Sequence, residues 1–145
     1  MNISKERSNN TPKKFLMMLA MVYLSCSEPK DQELGEPIIN PSFSFLQDVN
    51  KLYFSVNVES TFEGEKLDSV LVFWHGISRE GSPDKFTLND GGVQGDIIMN
   101  DDVFAIKILN DENNLNNDLT DVTGLVFMDY SAVFGSEVFT LRDSV

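Results

Sequence analysis

Seven short apolar runs, each bounded by Gly, Asn, Asp or Ser, fill the chain from residue 42 onward, and this texture limits the fold more than any other feature. The runs are of strand length, and none carries the 3.6-residue spacing of a helix with one buried face. In Lys51 to Ser60, Leu52, Phe54, Val56 and Val58 alternate with Tyr53, Ser55 and Asn57, so one face of the segment suits a core and the other suits water. Ser69 to Gly76 (SVLVFWHG) is apolar on both faces and reads as a central strand. Phe43 to Leu46, Lys85 to Leu88, Val103 to Leu109, Gly124 to Tyr130 and Glu137 to Leu141 complete the set. Strands this short, joined by turn residues, predict an all-β domain over residues 42–145 whose two sheets pack face to face.

Two other textures precede that domain. Residues 1–25 open with Lys5, Arg7, Lys13 and Lys14 against a single Glu6, continue with an apolar run from Phe15 to Leu24, and end on Ser25. A basic start, an apolar middle and a small residue are the three parts of a secretory signal peptide. As a helix the ten-residue run would span about 15 Å, half of a hydrocarbon layer about 30 Å thick, so it is too short to anchor the chain by itself. Residues 26–41 (CSEPKDQELGEPIINP) carry three prolines, one glycine and four carboxylates, and read as a flexible acidic tether. Cys26 is the only cysteine, which in an exported protein leaves a thiol with no partner for a disulfide.

Tyr23-Leu24-Ser25-Cys26 resembles the lipobox of bacterial lipoproteins, with Tyr23 standing where Leu is usual and Leu24 where a small residue is usual. The resemblance implies that Cys26 becomes the acylated first residue of a mature protein held on a membrane of the bacterial cell envelope. Ser27, Glu28, Lys30 and Asp31 are similar to the acidic stretch that directs some lipoproteins to the outer face of the outer membrane, while the periplasmic face stays open. The formal net charge of −12 becomes −15 once the four basic and one acidic side chains of residues 1–25 are removed. Such a surface repels nucleic acid and anionic lipid head groups. The expected partners are therefore the membrane, through a lipid anchor, and an unidentified envelope protein or glycan.

Residues 88–104 (LNDGGVQGDIIMNDDVF) resemble a segment that recurs, just before an inner strand, in immunoglobulin-like modules of exported bacterial proteins. Leu88, Asp90, Gly91, Gly95, Asp96, Asp101, Val103 and Phe104 carry the likeness. Asp102 replaces a usual Gly and Asn100 a usual small residue, and both tolerate positive φ better than other side chains do. The resemblance implies a single immunoglobulin-like or fibronectin III-like sandwich of about seven strands, with Trp74 in its core.

The candidate site residues follow from these segments. Asp90, Asp96, Asp101 and Asp102 offer oxygen ligands of the kind calcium takes, although Asx side chains in turns more often bind nearby amides. A second polar loop, Asn110 to Asp121, reads as a solvated connector, with a rim beside the first loop as the alternative. Tyr53 and Tyr130, expected to face outward from strands, are the candidates for carbohydrate contact. His75 stands alone in a strand, and neither a nucleophile elbow nor zinc-ligand spacing is present. The expectation is a non-catalytic binding or structural module, with a carbohydrate-binding accessory protein or a calcium-dependent adhesion module as alternatives.

Overall fold

A computed structural model describes residues 35–120 and 124–145; the expected signal peptide, Cys26 and most of the expected tether lie outside them. Eight strands are formed: β1 Ile38–Leu46, β2 Lys51–Val58, β3 Thr61–Phe62, β4 Glu65–Gly76, β5 Asp84–Leu88, β6 Val103–Leu109, β7 Phe127–Phe134 and β8 Glu137–Ser144. One 3-10 turn, Gln47–Val49, links β1 to β2. Among the described residues there is no α-helix, and no helix is long and apolar enough to cross a membrane.

The strands form two antiparallel sheets. One has the order β1-β2-β6; in the other β4 lies between β5 and β7, β8 closes the far edge, and the short β3 pairs with the first residues of β4. Alternation along β2 is complete, with Leu52, Phe54, Val56 and Val58 buried and the residues between them half-buried. They face Val70, Val72 and Trp74 of β4 and Met128, Tyr130, Ala132 and Phe134 of β7. Each Val, Leu, Phe or Met side chain among them contributes about 1.5–3 kcal/mol on leaving water. Trp74, fully buried, stacks on Phe43 at 5.0 Å and meets the edge of Phe54 at 5.3 Å, so its expected core role holds.

Several boundaries differ from expectation: β4 begins at Glu65 rather than Ser69, and β8 runs on to Ser144 rather than Leu141. β1 begins at Ile38, so residues 38–41, read as tether, belong to a strand. Asn40 at φ 52 and Pro41 form an irregularity in that strand, which is tolerated because β1 is an edge and Pro41 has no N–H to leave unpaired. β7 starts at Phe127 rather than Gly124 and continues to Phe134, four residues beyond the expected end.

Candidate functional site

The segment between β5 and β6 is built on Asp90. Asn89 pairs with Ala105 through 3.1 and 2.9 Å backbone bonds, which extends the sheet edge of β6 by one residue. The Asp90 carboxylate then accepts the amides of Asp101 (3.1 Å) and Asp102 (3.2 Å), and its carbonyl accepts that of Asn100 (3.3 Å). Asp96 accepts the amide of Gly92, while Asp101 accepts that of Val103 at 3.1 Å. Asn100 and Asp102 take φ of 60 and 62, the positive values their side chains tolerate. Gly95 is obligatory: φ is 117, and a Cβ there would lie 2.7 Å from the Lys107 amide nitrogen. That close approach lets Gln94 O accept Lys107 N at 2.6 Å and cover the free edge of β6.

The geometry brings Asp90, Asp96 and Asp101 together, with one carboxylate oxygen of each within 4.8 Å of the others. Asp96 is buried, Asp90 half-buried and Asp101 exposed. Asp102 does not join them; its carbonyl accepts the Val58 amide at 3.0 Å, and the residue lines a cleft of about 370 Å³ with Asp68, Leu67, Val70 and Phe104. Each of the three clustered carboxylates already holds at least one backbone amide, which is the turn chemistry expected of them.

Ile97, Ile98 and Met99 project from the same loop, 86%, 61% and 63% exposed. Composition did not single them out, yet a signal was present: three consecutive apolar residues with no alternation, inside a Gly- and Asp-rich stretch, are too few to form a buried strand.

The second loop is not a solvated connector. Both oxygens of the buried Asp84 accept the Asn116 amide (3.0 and 3.1 Å), and one of them accepts that of Asn117 at 2.9 Å. Trp74 Nε1 donates to Asn117 O at 2.7 Å, and Leu115 and Leu119 are buried in the core. Asn110, also buried, donates to Leu119 O and accepts Leu119 N, both at 2.8 Å, while Asn50 Nδ2 donates to its carbonyl at 2.6 Å. Asp111 at the loop's outer turn is held below the usual carboxylate range by the amides of Asn113. Nor does this loop form a rim beside the first, because one precedes β6 and the other follows it.

The two tyrosines part company. Tyr53 lies on the outer face of β2, half-buried, with Lys107 Nζ 5.7 Å from its ring centre. Tyr130, expected outward, is fully buried, and its hydroxyl donates to Ser42 O at 2.8 Å across the two sheets. Its neighbour Asp129 supplied the signal that was missed, since a carboxylate facing water puts the next strand residue inside. Asp129 accepts Arg79 Nη1 at 2.6 Å and lies 3.2 Å from His75 Nε2, so the lone histidine is a strand-face residue bound to a carboxylate. Comparison with protein-family models, with characterised proteins and with solved structures found no match to this chain.

Proposed function

We propose that the chain is a lipid-anchored protein of the bacterial cell envelope, most consistent with the outer membrane, that presents one immunoglobulin-like sandwich as a non-catalytic binding module. The observation that carries this reading is Cys26, the only cysteine, set directly behind a basic start, an apolar run and a small residue. The strand order supports the immunoglobulin-like part. Counting the strands without β3, the first, second and fifth make one sheet and the third, sixth and seventh the core of the other. That grouping is in keeping with an immunoglobulin-like or fibronectin III-like sandwich, with the fourth strand beside the third. A rigid sandwich with function-bearing loops at its ends acts by contact, in keeping with the exposed apolar loop residues.

The test is metabolic labelling with an alkyne-bearing palmitate in bacterial cells. The wild-type chain takes up label and sediments with membranes, and Cys26→Ser does neither. Label retained by Cys26→Ser, or none in either chain, overturns the anchor.

A second reading, a calcium-dependent adhesion module, is favoured by the convergence of Asp90, Asp96 and Asp101. Calcium binds oxygen at about 2.3–2.6 Å, so ligands on opposite sides of one ion stand about 5 Å apart, in keeping with the 4.8 Å limit on this group. Calcium at a hundred times its dissociation constant would stabilise the fold by about 2.7 kcal/mol. Equal melting temperatures in excess calcium and in chelator reject this reading. A glycan surface built on Tyr53 and Tyr130 together is not supported, because Tyr130 is buried.

A further inference from the structure

We propose that Ile97, Ile98 and Met99 form a preset apolar anchor for a pocket on a membrane-bound protein, and that the rim of this pocket carries lysine or arginine. The nearness of the membrane rests on the lipid anchor proposed above; the rest stands on the fold.

Exposure comes first. These three are the only run of three consecutive exposed large apolar residues among the described residues, and Val93 beside them is 55% exposed. Soluble domains keep such runs off their surfaces unless they are used for contact.

The anchor is also held in place before it meets anything. On one side the Asp96 amide donates to Val93 O at 3.0 Å and its side chain takes the Gly92 amide. On the other, the amides of Asn100 and Asp101 are fixed to Asp90. Met99 backs onto Gly92, where a Cβ would stand 3.5 Å from its own. A loop ordered by folding loses little further entropy on binding.

Topology decides which way the anchor faces. Ile38, where the chain enters the sandwich, pairs with Val58, and the Val58 amide donates to the carbonyl of Asp102. Ile38 and the 89–102 loop therefore lie at the same end of the domain, two strand spacings or about 10 Å apart. Cys26 and Ile38 are twelve residues apart, a reach of at most about 43 Å whatever conformation the segment takes. An acylated Cys26 keeps this end of the domain near the bilayer.

Charge then selects the occupant. No Lys or Arg occurs between Lys85 and Lys107, while Asp90, Asp96, Asp101 and Asp102 flank the three apolar residues. That collar repels anionic lipid head groups and a second copy of the chain, and it complements a basic rim.

The experiment places photoreactive benzoylphenylalanine at Ile98 of the full-length chain, in cells of the organism that makes it. The control carries it at Ile77, which is 69% exposed beyond β4 at the opposite end. Position 98 is expected to give one discrete protein adduct in the membrane fraction, with Lys or Arg flanking the cross-linked apolar segment, and position 77 none. Adding Ile97→Asp and Met99→Asp, both at exposed positions that leave the melting temperature unchanged, lowers the yield at least tenfold. Raising salt to about 0.5 M on isolated membranes before irradiation lowers it severalfold. No adduct at 98, an adduct shared equally with 77, or adducts to lipid, to a second copy or to a segment without basic residues overturn the proposal. Palmitate labelling in the same cells separates the two readings: a labelled chain with no adduct sinks the docking alone, and an unlabelled chain with the adduct sinks the lipid anchor alone.

Discussion

Replacing Asp84 by alanine is expected to unfasten the β6–β7 connection and to cost a large part of the domain's stability. The carboxylate is 8% exposed and receives two backbone amides, from Asn116 and Asn117, together with the side-chain amides of both residues at 2.8 and 3.1 Å. The side-chain amides can turn to water, whereas the backbone amides are fixed. At about 1.5–3 kcal/mol for each hydrogen bond to a charged acceptor, the two backbone bonds come to about 3–6 kcal/mol. Against a total of about 5–15 kcal/mol this is a substantial fraction, and for a domain of this size it lowers Tm by about 15–30 °C. Asp84→Asn keeps one carbonyl acceptor but turns an amide toward donors, so it is expected to lose about half as much. The assay is urea unfolding, with hydrogen exchange at Asn116 and Asn117 read by NMR. In the wild type these amides exchange only with global or near-global unfolding, and in Asp84→Ala they exchange much faster than the remaining core. A loss below about 1 kcal/mol, with both amides unprotected in the wild type, would refute the latch; the exposed Glu112→Ala sets the baseline at under about 0.5 kcal/mol.

Gly95→Ala forces a side chain into φ 117 and puts its Cβ against the Lys107 backbone, so an expected loss of about 2–4 kcal/mol appears as a lowered urea midpoint; an unchanged midpoint contradicts the close approach. Burial, and then the nearby Asp143 carboxylate, push the Tyr130 phenol well above its usual range. The unfolded chain ionises this group near pH 10 while the folded chain keeps the proton, so its contribution is intact below pH 10 and falls by about 1.4 kcal/mol for each pH unit above it. Tyr130→Phe costs about 1 kcal/mol at neutral pH through the lost bond to Ser42 and removes that alkaline slope, as urea midpoints from pH 7 to 11 will show.

Local alternation made the sheets legible. Leu52, Phe54, Val56 and Val58 announced the inner face of β2, and the doubly apolar run around Trp74 announced a strand with neighbours on both sides. A run that ends at Tyr130 hides which face the residue takes. Once β7 is followed to Phe134, Met128, Tyr130, Ala132 and Phe134 fall on one buried face. The 110–120 loop was hidden for a different reason. Its Asn- and Asp-rich composition is that of a solvated segment, and the partners that bury it, Asp84, Trp74 and Asn50, lie 32 to 60 residues away in sequence. Polar latches between distant segments leave no periodic trace.

The candidate site shows the same division. Asn100 and Asp102 were legible as positive-φ residues because that property is local. Which of the four aspartates would converge was not, since the loop's path past Gly95 and Lys107 decides it and leaves Asp102 facing a cleft. Ile97 to Met99 were overlooked because apolar residues are ordinarily assigned to a core, and only a folded loop shows that no core reaches them.

The most direct test of the anchored-module account is the intact mass of the chain extracted from bacterial membranes in detergent. The expected species is a polypeptide that begins at Cys26, lacks residues 1–25 and carries the added mass of more than one acyl chain, all of it lost in Cys26→Ser. A chain that retains Met1, or one recovered from the soluble fraction with an unmodified Cys26, would contradict it.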